Sequence, residues 1–247
     1  MNGSLVPDPL LDVRSMAAGY VPGHDIIRGI DLEVHATEIV CVIGPNGAGK
    51  STVFKAVYGL VPVRAGQVLC DGADITNINP SEALATAGIA IVPQLRSLFA
   101  QMTVYENLKL GMYRCTDKAR VRERIGFVCD LFPRLGARAR QAAGTMSGGE
   151  QRMLEIGRAL MWEPRLVLMD EPSAGLSPIV TAEVFETIRR LNREISLTAL
   201  MIEQNARQGL EASHRGYVIE HGLITHQGSS ADLLADPAVR RAFLGAR

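Results

Sequence analysis

One short segment restricts the fold more than any other part of the chain. Residues 44–51 read Gly-Pro-Asn-Gly-Ala-Gly-Lys-Ser, which fits the pattern G-x-x-x-x-G-K-[ST]. The segment follows a continuous apolar run at 39–43 and precedes a helical stretch, which is the context that this pattern requires. In such a loop the glycines let backbone N–H groups converge on phosphate oxygens, and the helix N-terminus adds positive potential. The sequence therefore predicts an α/β fold with a phosphate site at the end of a buried strand.

The chemistry predicted for this loop is that of nucleotide phosphates held with Mg²⁺. Lys50 is placed to reach the terminal phosphates, and the Ser51 hydroxyl is a candidate magnesium ligand. The predicted nucleotide-binding residues here are Gly44, Pro45, Asn46, Gly47, Ala48, Gly49, Lys50, Ser51 and Thr52. The alternative is a glycine-rich turn with a surface lysine.

Two acidic residues directly follow a second apolar run. The run at 166–169 ends in Asp170 and Glu171, and a third run at 199–202 ends in Glu203. Apolar strands that end in polar residues suggest a sheet whose strand ends form a site. Beside a phosphate loop, an acid at a strand end can hold Mg²⁺, and a neighbouring carboxylate can orient the water that attacks a γ-phosphate. We assign the first role to Asp170 and the second to Glu171.

The hydrophobic pattern predicts how the other segments fold. Residues 30–34 alternate between apolar and polar, which predicts a half-buried antiparallel strand, and residues 177–195 carry one apolar stripe at helical spacing. The stretch 95–145 contains no buried-strand run, and we interpret it as a helical insertion. A late hairpin around 222–224 and short helices at 230–244 complete the prediction.

Composition narrows the class of protein further. Of 247 residues, 47% are hydrophobic and 21% are charged, and 26 basic side chains balance 26 acidic ones. A net charge of zero provides no overall field toward nucleic acid, so we expect no nucleic-acid partner. No apolar run approaches the ~18 residues that cross a bilayer, and residues 1–15 lack the pattern of a signal peptide. We therefore expect a cytoplasmic protein.

A second glycine-containing motif separates this chain from other phosphate-loop proteins. Residues 145–152, Thr-Met-Ser-Gly-Gly-Glu-Gln-Arg, resemble the signature motif of ABC ATPases, and the resemblance extends over nearly the whole chain. It implies a head-to-tail dimer in which the signature of one subunit closes on ATP held by the P-loop of the other. The signature residues are Ser147, Gly148, Gly149 and Glu150. Amides at a helix N-terminus suit this role because they and the helix dipole attract phosphate.

The resemblance also assigns roles outside the two phosphate cradles. Tyr20 is similar to the aromatic residue that stacks on adenine, with simple packing as the alternative. Gln94 resembles the glutamine that ligates magnesium and relays nucleotide state to the helical insertion. Residues 173–177 resemble the loop that crosses the dimer interface. The implied magnesium ligands are Ser51, Gln94 and Asp170, and the implied catalytic residues are Glu171 and Gln204.

Two positions depart from the usual family pattern. Glu150 stands where glutamine is more usual, and Gln204 stands where most relatives have histidine. A glutamine amide can donate a hydrogen bond to the γ-phosphate but cannot carry a positive charge, so we expect hydrolysis to survive at a reduced rate. Glu150, Gln204-Asn205 and the ending at 236–245 together resemble one branch, the ATP-binding subunits of branched-chain (hydrophobic) amino-acid importers.

That branch implies a motor subunit that hydrolyses ATP with Mg²⁺ and energises uptake through separate membrane proteins. The implied partners are a second ABC ATPase, with a paralogue expected over a second copy, two membrane permease subunits and, indirectly, a periplasmic or extracellular substrate-binding protein. The chain would lie on the inner face of the cell membrane, attached through the permease. The alternatives are uptake of urea or short-chain amides, a soluble ABC ATPase that does not transport, and a regulatory module with little turnover.

The fold class implied is α/β, a P-loop NTPase (ABC ATPase) core with a mixed sheet, an N-terminal antiparallel β-subdomain and an inserted helical subdomain. We expect a single domain at 11–247. Its predicted divisions are a RecA-like core at 11–94 and 150–229, a helical subdomain at 95–149 and a short helical tail at 230–247.

Overall fold

The computed structural model describes residues 8–244 and contains two β-sheets flanked by helices. The strands are β1 (Leu11–Ala18), β2 (Ile27–Val34), β3 (Ile39–Ile43), β4 (Val63–Cys70), β5 (Ala73–Asp74), β6 (Ile89–Val92), β7 (Leu166–Asp170), β8 (Ala199–Ile202), β9 (Arg215–Glu220) and β10 (Leu223–Ser229). The helices are α1 (Lys50–Val57), α2 (Pro80–Ala87), α3 (Val104–Leu110), α4 (Lys118–Leu131), α5 (Pro133–Ala137), α6 (Gly148–Ala159), α7 (Pro178–Ile195), α8 (Ala206–Glu211), α9 (Ser230–Ala235) and α10 (Pro237–Val239). Short helical turns lie at Ala143–Thr145, Leu160–Trp162 and Arg240–Leu244. The predictions that concern 1–7 and 245–247 lie outside the described residues.

The larger sheet has six strands in the order β10-β9-β3-β8-β7-β6. Strands β9, β3, β8, β7 and β6 run parallel, and β10 returns antiparallel to β9. The three predicted apolar runs are β3, β7 and β8, which lie side by side in the middle of the sheet. Because parallel strands end at the same edge, the residues that follow these three strands meet there.

Alternation along the central strands divides the core into two faces. Val40 and Leu168 pack in a cluster with the antiparallel sheet and α1, whereas Val167 and Met169 pack with α3, α4, α6 and α7. Successive side chains of a strand point to opposite faces, so both faces of the sheet are covered. This is why these strands are apolar without interruption.

The smaller sheet has four strands in the order β2-β1-β4-β5, and its pairings are antiparallel. In β2 the buried residues Ile30, Leu32 and Val34 alternate with exposed ones. The predicted alternation at 30–34 is confirmed, and the strand extends back to Ile27.

Helices α3, α4 and α5 follow one another between the strand β6 and the signature segment, as expected of a helical insertion. The predicted helix at 177–195 is α7, and the predicted hairpin is β9–β10 with its turn at His221-Gly222. Short helices follow from Ser230. The exact division of the chain at 94/95, 149/150 and 229/230 stays a prediction.

Candidate active site

The loop between β3 and α1 carries the predicted phosphate site. Gly49, with a φ of +105°, is the N-cap of α1. An added Cβ at Gly49 would come within 2.7 Å of Ile27 Cδ1, so both the backbone angle and the available space require glycine. Gly44 is equally restricted, because a Cβ there would collide with the carbonyl oxygen of Ile219. The loop is therefore held closely against β2 and β9.

Lys50 is the cation of this loop. Its ammonium group donates to the carbonyl oxygens of Gly44 at 2.7 Å and Pro45 at 3.1 Å, and the residue is only 5% exposed. Burial lowers the pKa of Lys50, and the negative charges of Glu171 and Asp170 act in the opposite direction. The loop thus carries a partly desolvated cation that an incoming phosphate would stabilise.

Asp170 and Ser51 approach each other across the strand ends. Asp170 is the last residue of β7, Ser51 lies in the first turn of α1, and the Ser51 hydroxyl donates to Asp170 Oδ1 at 3.4 Å. Burial raises the pKa of Asp170, and repulsion from Glu171 adds to the effect. A cation placed here would relieve that repulsion, and carboxylate and hydroxyl oxygens are ligands of the kind that Mg²⁺ takes. The two residues therefore fit the predicted magnesium position.

The described side chains outside this pair form no competing cluster of metal ligands. Within residues 8–244, no cluster of three or more His, Cys, Asp or Glu side chains is arranged to hold a metal ion. Mg²⁺ in nucleotide enzymes is commonly held by one or two carboxylates together with substrate phosphates and water. The donor set around Asp170 agrees with that pattern.

Glu171 has an unusual backbone conformation. Its φ is +47°, in the left-handed region, and its N–H donates to the carbonyl oxygen of Ile202 at 2.9 Å. Gln94 Nε2 donates to Glu171 Oε2 at 2.7 Å. A non-glycine residue in this region is strained, so the surrounding structure must hold it there. Here the hydrogen bonds to Ile202 and Gln94 hold the residue on both its backbone and its side chain.

One cleft of about 400 Å³ is lined by most of the residues predicted to bind the nucleotide. Its lining comprises Ile26, Asn46, Gly47, Gly49, Lys50, Ser51, Thr52, Gln94, Glu171 and Gln204. Gly44, Pro45 and Ala48 belong to the loop but not to this lining. Ile26 is the lining residue that sequence reasoning missed, because an apolar side chain just before β2 carries no chemical signal.

Tyr20 also lies outside that lining. Its hydroxyl accepts a hydrogen bond from the ammonium group of Lys55 at 3.2 Å, and the same ammonium lies 5.5 Å from the centre of the ring. Lys55 belongs to α1, so the tyrosine sits beside the helix that the phosphate loop begins. Its half-exposed ring is available for stacking, and the predicted contact with adenine stays a prediction.

The signature residues lie at the start of α6. Ser147 is the N-cap, and its hydroxyl oxygen accepts from the N–H of Glu150 at 3.3 Å. Ser147, Gly149 and Glu150 line a groove bordered by α5, α6 and α7, and Gly148 faces a third depression that it shares with Gln94. In the part of the chain that the structure describes, no signature residue lines the P-loop cleft. The two predicted phosphate cradles therefore open at different places on the molecule.

Glu203 is a buried acid to which sequence reasoning gave no role. The residue follows β8, is 1% exposed, and accepts hydrogen bonds from the Ser173 N–H at 3.1 Å and the Ser173 hydroxyl at 2.8 Å. Burial raises the pKa of Glu203 to about 7, although the hydrogen bonds from Ser173 act in the opposite direction. The side chain ties the loop at 173–177 to the strand end that carries Gln204. Its position at the end of an apolar run was the available signal, but the sequence did not reveal its partner.

Comparison with known proteins gives matches over most of this chain. The family model described as ABC transporter matches residues 27–174. The high-affinity branched-chain amino acid transport ATP-binding protein BraG of Pseudomonas aeruginosa is 45% identical over 89% of this chain and 93% of its own length. The probable branched-chain amino acid transport ATP-binding protein LivF of Archaeoglobus fulgidus is 37% identical over 96% of this chain and 99% of its own. The lipopolysaccharide export system ATP-binding protein LptB of Escherichia coli K12 is 35% identical over 95% and 97%.

The fold is shared with solved structures. The crystal structure of the ADP conformation of an ATP-binding cassette of an ABC transporter matches with a TM-score of 0.85 at 27% identity, covering 97% of this chain and 100% of that one. The predicted fold class is thereby confirmed. Among residues 8–244, no helix combines the length and the apolar character that a membrane crossing needs. The strand–loop–helix cleft, the signature at α6 and the family match together show that the chain is an ATPase cassette belonging to the ABC transporter family.

Proposed function

We propose that this ATPase is the motor subunit of an importer for branched-chain or other hydrophobic amino acids. The observation that best supports the motor role is that the two predicted phosphate cradles lie apart. Lys50 and Glu171 line one cleft, whereas Ser147 and Gly149 line another groove. A single subunit thus has a site for ATP but cannot enclose it with its own signature. A second ATPase subunit, arranged head to tail, would supply the missing cradle.

The phosphate loop and the strand ends bind the nucleotide in this proposal. Lys50 contacts the terminal phosphates. Because the residue is buried, water screens its charge little and the attraction to phosphate is strong. Ser51, Asp170 and Gln94 would hold Mg²⁺, which neutralises phosphate charge when it is bound. The 3.4 Å approach of Ser51 to Asp170 is the contact that supports this assignment.

Glu171 and Gln204 act on the reacting end of the nucleotide. Glu171 accepts a proton from the attacking water as general base, and the Gln204 amide donates a hydrogen bond to the γ-phosphate. The 2.7 Å hydrogen bond from Gln94 orients the Glu171 carboxylate. Because Gln94 directly precedes the helical insertion, movement of that insertion would alter the orientation of Glu171. ATP would drive the permease because it binds the closed dimer more tightly than the open one.

A groove between α3 and α4 is the surface on which we expect the permease to act. It has a volume of about 780 Å³, with Met102, Tyr105, Tyr113 and Val121 among its apolar residues and Lys109, Lys118 and Arg122 among its basic ones. Glu106 is the acidic residue of the lining, so the charged side chains are mainly basic. Apolar walls with a mainly basic rim suit an amphipathic helix that carries acidic side chains. Met102 is among the apolar residues of this groove that we expect to contact the permease. Phe99, which is exposed, lies outside its lining, and we expect it to contact the permease through the adjoining surface.

The substrate class rests on relatives and on one branch-specific pattern. BraG and LivF are both described as branched-chain amino acid transport proteins. Gln204-Asn205 after β8 belongs to the pattern that resembles this branch. LptB, described as part of an export system, is less similar than either. Uptake of urea or short amides is the second candidate, since importers of those solutes share much of this architecture.

Replacing Glu171 by glutamine tests the motor mechanism. MgATP binding should persist while hydrolysis slows by a factor of ~10² or more, because an amide cannot accept the proton of water. Phosphate release and nucleotide binding measure the two effects, with Glu194→Gln on the exposed end of α7 as the matched control. Normal turnover in Glu171→Gln would assign water activation to another residue.

The same variant reports the dimer. Size-exclusion chromatography with light scattering, with and without MgATP, should show an ATP-dependent dimer if two copies of this chain complete each other's sites. A monomer that binds ATP would instead mean that the complementary signature belongs to a paralogue.

Uptake by intact cells tests the substrate class. Deletion of the gene in its host should abolish high-affinity uptake of labelled leucine and valine, and the wild-type gene but not Glu171→Gln should restore it. Unchanged leucine and valine uptake with loss of urea or amide uptake would move the assignment to the second candidate.

A further inference from the structure

The signature helix carries a negative charge where a partner's ATP would approach. Both oxygens of the Glu150 carboxylate are occupied. Oε2 accepts from the Ser147 N–H at 3.0 Å and from the Ser147 hydroxyl at 2.9 Å, and Oε1 pairs with Arg138 Nη1 at 2.7 Å. Arg138 lies immediately after α5, so the ion pair joins the helical insertion to the signature.

This arrangement opposes phosphate binding in two ways. A hydroxyl has a single hydrogen, so Ser147 cannot donate to a phosphate while it donates to Glu150. A full negative charge within hydrogen-bonding distance of Ser147 also repels an incoming phosphate. The amides of Gly148 and Gly149 and the dipole of α6 attract the same group. The balance therefore depends on how much of the Glu150 charge is cancelled.

Glu150 stays ionised in this setting. Burial of its carboxylate acts to raise the pKa, but the hydrogen bonds from Ser147 and the charges of Arg138 and Arg134 outweigh it and lower the pKa of Glu150. Arg138 makes the direct contact and is 45% exposed, compared with 14% for the Glu150 side chain.

We propose that Arg138 is a positioning residue for the signature, whose guanidinium cancels the charge of Glu150 that would otherwise repel the phosphates of ATP held by a partner subunit. The N–H groups of Gly148 and Gly149 at the start of α6 can then attract those phosphates, while the Ser147 hydroxyl keeps its hydrogen bond to Glu150. The inference rests on the proposed head-to-tail function. It accounts for the presence of glutamate at a position where glutamine is more usual, because the added charge comes with its own counter-charge.

A double-mutant cycle on the assembled transporter tests the proposal. The tagged full chain is purified from its host with the subunits that it assembles with, and ATP turnover is measured against MgATP concentration. Arg138→Ala should raise the half-saturating MgATP concentration about fivefold with little change in kcat, the scale of one exposed ion pair. In a Glu150→Gln background, Arg138→Ala should have no effect, because no charge is left to cancel.

Arg140→Ala is the matched control. Arg140 is an exposed arginine of the same segment and forms no ion pair within residues 8–244, so its removal should leave the MgATP dependence unchanged. An unchanged half-saturating concentration in Arg138→Ala would overturn the proposal. An equal increase in both backgrounds would also overturn it, since it would show a packing role for Arg138. Absence of turnover in the wild-type complex would refute the proposed function itself, and this inference with it.

Discussion

Burial shifts the pKa values of Lys50, Asp170 and Glu203, which lie near the strand ends. The three side chains differ in whether a bound ligand would stabilise their charged forms. Burial lowers the pKa of Lys50 and raises that of Asp170, and bound phosphate and Mg²⁺ would favour the charged forms of both. Glu203 has no such ligand in the proposed mechanism. Only its hydrogen bonds, chiefly those from Ser173, offset the effect of burial on its ionised form.

Glu203→Gln should change how stability depends on pH. In the folded chain burial raises the pKa of Glu203 to about 7, whereas the unfolded chain has the ordinary value of 4.5. Between these values the folded state holds the proton more tightly, so the free energy of unfolding falls as pH rises, by up to ~3 kcal/mol once the pH exceeds the folded pKa. Urea unfolding at about pH 5 and about pH 8 should show a smaller difference in Glu203→Gln than in the wild type. Glu194→Gln should keep the wild-type difference, and an unchanged difference in Glu203→Gln would locate the pH dependence elsewhere.

At the scale of elements, two helices begin with the same reciprocal cap. Thr103 and Glu106 at α3 exchange hydrogen bonds in which each side chain accepts from the other residue's N–H, and Ser147 and Glu150 do the same at α6. This is a capping box, in which the acid at the third helical position satisfies the N-cap N–H. Glu150 therefore has a structural role at the helix start in addition to its electrostatic effect on the signature.

Thr103→Ala should destabilise the helix that forms one wall of the proposed docking groove. Loss of the cap hydrogen bond should lower the free energy of unfolding by about 1 kcal/mol. Urea unfolding measures the change against Thr116→Ala, an exposed threonine in the segment between α3 and α4. Equal stability of the two variants would mean that the contacts of α3 with the rest of the chain, rather than its cap, determine where the helix begins.

At the scale of the whole molecule, the three proposed contact surfaces are separate. The P-loop cleft, the signature groove and the groove between α3 and α4 have different linings. Under the proposed function, one subunit would therefore be able to hold its own ATP, close on a partner's ATP and contact a permease at the same time. Gln94 lies where the first of these surfaces continues into the helical insertion.

Tyr105→Asp should weaken the association with the permease without affecting nucleotide binding. Tyr105 is a partly exposed aromatic residue of the groove, and a charge there would disrupt an apolar contact. Co-purification of membrane subunits with the tagged chain measures the association, and ATP binding by the isolated chain is the second readout. Leu223→Asp, at an exposed apolar residue of β10, is the control. Full co-purification with Tyr105→Asp would exclude this part of the groove as the docking surface.

The sequence by itself determined the features that depend on neighbouring residues. The apolar runs at β3, β7 and β8, the alternation in β2 and the strand–loop–helix context of residues 44–51 are local patterns, and the structure has each of them where it was predicted. The phosphate loop with its glycines at 44 and 49, and the acidic residues at strand ends, could be predicted for the same reason. Backbone geometry and side-chain periodicity act over a few residues, so a linear pattern records them.

Only the tertiary structure decided which distant residues meet. Three observations join segments from different elements. Glu203 bonds to Ser173, Arg138 pairs with Glu150, and Ile26 lines the nucleotide cleft. The placement of the signature away from the P-loop cleft is of the same kind. These contacts depend on how the sheet, the insertion and the loops pack against one another. Burial, hydrogen bonds and neighbouring charges at those contacts then shift the pKa values of Glu203 and Glu150. A local sequence pattern does not record that packing, because the packed residues are far apart along the chain.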